Sequence, residues 1–469
     1  MKQQNSRDMT EGDPIRLILA FALPLFLGNV FQMFYNMADA AIVGRFLGPQ
    51  ALAAVGAAGP GYNLFTMVIS GFAGGASVVV AQAFGSGDEE SMRRAYSTSM
   101  LLLVLSGLAV TGLGFALTRP LLLILRTPED VLPGCLTYLR WMCAGVLATC
   151  LYNGTASILR AIGNSVTPLA ALVVSSLLNI VLDWLFVVPL GMGIAGAAAA
   201  TLLSQLASGL CCLLYIRLRL PAFRIPAGQW RLHRAELRET VRLGLPAALS
   251  TAVVTFSVML IQRAVNAWGS TVMAAYTASN RAENICMCLS YSMGLATGVF
   301  AAQNAGARQY GRVKAGLRAG LKISLVYHAA IAVLMWFTAP WLMALFTEDR
   351  EVVAIGVEVV RICAVFAPVL GTLFIFQNFL RSVSDVFPTI LMSGAEILCR
   401  GLLPFALSSA FGYYGIWWAT PAGWTLSLLI GAARTASGRW RRILDEHSAA
   451  SGSPPAVPEP PPDSRPLSR

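Results

Sequence analysis

The chain has 469 residues, 56% of them hydrophobic and only 12% charged, with a mean hydropathy of +0.65 and a formal net charge of +11. A soluble domain carries about 25% charge, so this chain cannot coat itself for water and takes lipid as its solvent. The basic excess falls in loops between apolar runs, which points away from nucleic acid and toward a topology signal.

The expected fold is all-α and integral to the membrane, with 12 transmembrane helices in two six-helix lobes. Residues 1–14 form a cytoplasmic N-terminus, and Asp13-Pro14 supplies a cap and first-turn proline for the first helix. Apolar runs then mark spans near 15–44, 51–82, 95–118, 131–158, 166–189 and 193–216. The first run continues past signal-peptide length with Pro24 inside it, so it stays in the membrane. A polar, basic linker covers 217–240. Further spans lie near 241–267, 272–303, 315–338, 351–380, 386–410 and 413–435, so the lobes cover 15–216 and 241–436. The remaining 437–469, rich in proline from Pro454 to Pro462, reads as a disordered cytoplasmic tail.

Orientation follows from the basic residues. With the N-terminus inside, the inner loops hold Arg93, Arg94, Arg160, Arg217, Arg219, Arg231, Arg308, Arg312, Arg381 and Arg439, among others. The outer loops hold only Arg45, Arg119, Arg126 and Arg350. Both termini are therefore placed in the cytoplasm of a plasma-membrane protein. Nine cysteines without a CxxC pair, and three histidines, favour neither a metal site nor a disulfide framework.

The two halves repeat. Leu23-Pro24 matches Leu245-Pro246, and Ala81-Gln82-x-x-Gly85 matches Ala302-Gln303-x-x-Gly306. Arg160 followed by Pro168 matches Arg381 followed by Pro388. Gly193-x-x-Gly196 with Ala200-Thr201 matches Gly412-x-x-Gly415 with Ala419-Thr420. Each copy holds an even number of spans, so the copies share one orientation. Such repeats suit transporters that rock two lobes about a midplane site.

Charges inside spans need a reason, because one at the bilayer centre costs roughly 2.5–3.5 kcal/mol. Asp39 and Asp183 fall at similar depth in the outer half of the first lobe. Gln32, Tyr35 and Asn36 precede Asp39 at helical spacing, and Asn179 precedes Asp183 by four residues. Two carboxylates among amides and hydroxyls can hold one proton or a small cation. In the second lobe, Glu396 and Arg400 stand one turn apart, as a structural bridge or a substrate contact, and Glu283 is a candidate for binding a cationic compound. Gln32, Tyr35 and Asn36 are further candidates for lining a substrate cavity.

The run from Leu23-Pro24 through Tyr35-Asn36-Met37-Ala38-Asp39, Val43-Gly44-Arg45 and Ala51-Leu52-Ala53-Ala54-Val55-Gly56 resembles the multidrug and toxic compound extrusion (MATE) family. So do Arg160-Ala-Ile-Gly163-Asn164 with Pro168, and Asn179-Ile-Val-Leu-Asp183 with Gly191-Met-Gly193-Ile-Ala-Gly196. The resemblance runs from about residue 14 to 436. It implies a V-shaped cavity between two lobes, alternating access, and antiport of organic, often cationic, compounds against protons or sodium. It further implies a branch that couples in the first lobe, through Asp39, Asn179 and Asp183, with Thr201 and Asn153 added. Bending of the first helix at Pro24 is a family theme, with a plain packing kink as the other reading. The acids that other branches carry in the seventh and tenth helices are missing here, where Gln262 sits beside Arg263.

The expected partners are the bilayer and small organic substrates, without nucleic acid. A monomer is expected, with no cofactor beyond H+ or Na+ as coupling ion. Three other functions stay open. One is export of lipid-linked oligosaccharide or polysaccharide within the same superfamily. Another is a structural membrane protein. The third is an intramembrane aspartyl protease, whose Gly-x-Gly-Asp motif neither aspartate carries, so no enzyme is expected.

Overall fold

A computed structural model describes residues 8–124 and 127–450. Arg126 and the proline-rich stretch from 451 lie outside them. The described chain runs α1 (Pro14–Leu47), α2 (Pro49–Ser86), α3 (Glu89–Ile124), α4 (Leu132–Ala144), α5 (Val146–Ala161), α6 (Val166–Val187) and α7 (Gly193–Arg219). After two short 3-10 turns it continues as α8 (Arg234–Asn266), α9 (Ser270–Gly306), α10 (Tyr310–Ala344), α11 (Arg350–Ser382) and α12 (Phe387–Phe411). It ends with α13 (Tyr414–Trp417), α14 (Ala419–Ala436) and α15 (Arg439–Ala450).

Among the described residues, nine helices are long and apolar enough to cross a membrane. The bent pair α4–α5 makes a tenth candidate. Two of the twelve expected segments fall short on composition, although both are helical. The middle of α9 is polar, with Asn280, Arg281, Glu283 and Asn284, and α14 is short and broken from α13 at Trp418.

The expected continuous span at 131–158 is instead bent by 49° at Gly145. Glycine is a poor helix interior, and here it leaves room for Leu202, which a Cβ at Gly145 would overlap. Disorder expected from residue 437 gives way to α15. Trp440 and Leu444 are buried in an apolar cluster with Phe379, and the Tyr310 hydroxyl donates to Asp445 Oδ1 at 2.6 Å.

The repeat seen in the sequence reappears as geometry. Gly48 and Gly269, at φ 86° and 91°, make the same left-handed turn into α2 and α9. Gly163 at φ 81° is matched by Ser384 at φ 59°. Helix α1 packs on α6 in its own half and on α9 and α10 in the other. Its counterpart α8 packs on α12, and on α2 and α3 across the divide.

The halves meet tightly at the end that carries the linker. Gln82 Nε2 donates to Ser382 O at 2.9 Å, and Gln303 Nε2 donates to Ala161 O at 2.7 Å. A Cβ at Gly85 would overlap the Gln303 carbonyl, and one at Gly306 the Gln82 carbonyl. The duplicated Ala-Gln-x-x-Gly motif is thus a reciprocal clasp. The segment before α1 seals it further. Met9 is fully buried, its N–H donates to Gln303 Oε1 at 2.9 Å, and its carbonyl accepts from Asn304 and Arg312.

Candidate functional site

Helices α1 and α6 pack side by side and bring Asp39 and Asp183 together. The two carboxyls act on one another electrostatically. Asp183 is fully buried, and Asp39 is partly so. Among the described residues, no N–H or O–H donor reaches Asp39 Oδ1 or either oxygen of Asp183. Asn179, one turn before Asp183 and 1% exposed, leaves both its amide oxygen and nitrogen without a partner. Two facing carboxylates out of water repel, and buried charge without a partner is costly. A proton or small cation between them removes both penalties.

A polar cavity of about 240 Å³ adjoins this pair and is lined by Gln32, Tyr35, Asn153, Asn179 and Thr201. The Tyr35 hydroxyl interacts electrostatically with Gln32 and with both aspartates. Asn153 Nδ2 donates to Thr149 O at 3.0 Å, and Thr201 Oγ1 to Ala197 O at 3.1 Å, each within its own helix. Their remaining acceptor atoms are the groups such a cavity can offer an ion or water.

Sequence reasoning passed over much of the lining. Tyr62 shares a hydrogen bond with Thr149, which donates to Gln205. Ser204 is buried with an unpartnered hydroxyl. The signal was present: Thr201, Ser204, Gln205 and Ser208 recur at the helical period along otherwise apolar α7.

Three candidates lie apart. Asn36 is exposed and lines neither cavity, because it falls at the edge of the face that Gln32, Tyr35 and Asp39 share. Glu283 also lines neither; it sits near Cys363 and interacts electrostatically with Arg400. Pro24 lies inside α1, about 22 Å along the helix from Asp39 at 1.5 Å per residue. Lacking an N–H, it leaves the Ala20 carbonyl without its helical donor.

A second cavity, of about 310 Å³, opens between the halves above the clasp. Residues from α2, α8, α9, α11, α12 and α14 line it. Glu396 and Arg400, both buried, form an ion pair at 3.5 Å on its wall. Arg400 Nη1 also donates to Ser257 Oγ at 3.3 Å. No cluster of three or more His, Cys, Asp or Glu suited to a metal exists among the described residues.

A MatE family profile matches the chain twice, over residues 24–185 and 246–405. The chain belongs to the MatE family. The two matches divide it as the repeated motifs do. The probable multidrug resistance protein YpnP of Bacillus subtilis (strain 168) is 30% identical over 391 residues, which span 82% of this chain and 86% of that protein. A protein of Shewanella oneidensis named FAD transporter is 26% identical over 410 residues, covering 85% and 88%. Among solved structures, the outward-facing form of a multidrug resistance MATE family transporter of the MOP superfamily superposes with a TM-score of 0.88. It is 22% identical, covers 94% of this chain and is itself covered to 99%, a likeness of fold. MatE proteins are secondary transporters and not enzymes, and this chain is a multi-pass membrane member of that family.

Proposed function

We propose that the chain exports small organic compounds across the plasma membrane by alternating access, driven by inward flow of protons or sodium through Asp39 and Asp183. The observation that carries this reading is a pair of neighbouring carboxyls, three of whose four oxygens meet no donor among the described residues. A site left incomplete by the protein is one that an ion completes. Asn179, Thr201, Asn153, Gln32 and Tyr35 line the adjoining cavity and serve as the polar groups that pass or hold that ion. Pro24 is the point in α1 where a bend can transmit its arrival.

In this reading all twelve expected segments span the bilayer, α4–α5 and α13–α14 each as one broken span. Lobes at 15–216 and 241–436 rock about the cavity between them. The arginine-rich loops support a cytoplasmic linker and cytoplasmic termini. The clasp at Gln82 and Gln303 then closes the cytoplasmic end, so the form described faces outward.

Purified protein in vesicles, loaded with a fluorescent dye and exposed to a pH gradient or a sodium gradient in turn, tests the proposal. One of the two gradients is expected to drive dye uphill. Failure of both, across dyes of either charge, overturns the transport reading. The relatives' names range from multidrug resistance to FAD transport, so the charge of the cargo must be read from this chain's own cavity.

A further inference from the structure

The cavity between the halves is unequal in its charges. Three charged side chains line it, and two of these, Glu396 and Arg400, pair with each other. The third is Arg381, near the C-terminal end of α11. Among the described residues no carboxylate pairs with Arg381 and no group hydrogen-bonds its guanidinium; only the Tyr291 ring acts on it electrostatically. Glu283, the other acid of this region, acts on Arg400 rather than on Arg381. The C-terminal carbonyls of α11 offset part of the charge by their dipole, yet the guanidinium fork makes no bond to them. The repeat sharpens the contrast. Arg160 holds the matching place in the first half, lines neither cavity, and donates to Ser157 Oγ at 3.1 Å.

An arginine held inside a membrane protein without a counter-charge is costly unless something supplies one. Its planar fork suits carboxylate, sulfonate and phosphate oxygens, two at a time. Tyr291 and Gln377 line the same cavity, and among the described residues neither side chain makes a hydrogen bond. Val254, Met287, Leu370 and Phe374 add apolar surface to the lining, and the Phe374 ring packs edge-on against that of Tyr291 at 6.5 Å.

From this arrangement we infer that the cavity between the halves is a binding site for small amphiphiles that carry an anionic group, with Arg381 docking the anion. The inference deepens the proposed function by naming the substrate class, and it rests on that reading for transport. Binding can be tested without any ion gradient, so it stands or falls apart from the coupling at Asp39 and Asp183. Cationic cargo finds no free acid in this cavity, because Glu396 is already taken.

Fluorescein and rhodamine 6G share a xanthene skeleton and differ in charge. Their equilibrium binding to the full-length protein in detergent, followed by fluorescence anisotropy, is the test. Wild type is expected to bind fluorescein more tightly than rhodamine 6G. Arg381→Gln should weaken fluorescein by about tenfold or more, with rhodamine 6G unchanged or tighter. Arg381→Lys, which keeps the charge and loses the fork, should fall between. Arg350→Gln, at an exposed arginine that lines neither cavity, should leave fluorescein affinity at the wild-type level. If Arg381→Gln does not elute as a monodisperse species, the wild-type preference and the lysine variant decide alone. Tighter binding of rhodamine 6G by wild type, or fluorescein affinity indifferent to both Arg381 variants, overturns the assignment.

Discussion

Asn179 shows the cost that the proposed ion site places on the fold. Its amide is buried with neither end bonded, and an unmet buried polar group costs about 1–3 kcal/mol. Replacement by a similar-sized apolar residue, Asn179→Leu, is therefore expected to stabilise the protein by about 1 kcal/mol, read as a higher thermal unfolding midpoint in detergent. The same change should cut ion-driven flux in vesicles, because the site loses a group that can turn toward an ion. A variant that is less stable and transports normally would show that Asn179 has bonds of another kind. The nearness of Asp39 to Asp183 was legible in the sequence, since matching depth in two helices expected to run the same way limits where they can lie. Asn36 was placed with them because helical spacing alone cannot tell the centre of a face from its edge. The free state of Arg381 left no sequence trace, since it is defined by acids that lie elsewhere in three dimensions.

At the scale of elements, the clasp decides which end of the cavity is shut. Gly85 and Gly306 let α2 and α9 touch backbone to backbone, and each is needed because the other helix's carbonyl occupies the space of its Cβ. Gly85→Ala and Gly306→Ala should each destabilise the closed end by about 1–3 kcal/mol, the usual cost of overpacking. Spin labels at Glu90 and Lys314, both exposed at that end on opposite halves, report the opening in a cysteine-free background. The alanine variants should shift the distance distribution to longer values. Gln82→Ala with Gln303→Ala should do so by loss of hydrogen bonds instead. Unchanged distances in all of these would mean that the clasp is not what holds the end closed. The Ala-Gln-x-x-Gly repeat was visible as a motif, but its use was not. A residue that bonds the other half has no local signature, and the Met9 contacts close over 294 residues of chain. The bend at Gly145 and the docking of α15 were lost for the same reason: each depends on a distant partner, Leu202 in one case and Phe379 in the other.

Across the whole molecule, duplication explains both the symmetry and its breach. Two similar halves give a reciprocal clasp, crossed packing of α1 and α8, and matched turns at Gly48 and Gly269. Within that frame the halves carry different chemistry: neighbouring acids in the first and, among the described residues, an arginine without an ion-pair partner on the shared cavity in the second. The proposed function divides the labour accordingly: the first half would take the ion and the space between the halves the cargo. The most direct test separates moving cargo from coupling it, in vesicles holding either wild type or the Asp39→Asn, Asp183→Asn double variant. Both proteins should exchange labelled dye for unlabelled dye at equal concentrations across the membrane, because exchange needs only the moving cavity. Only wild type should concentrate dye uphill when the ion gradient is imposed, and uphill accumulation by the double variant at the wild-type rate would contradict the account.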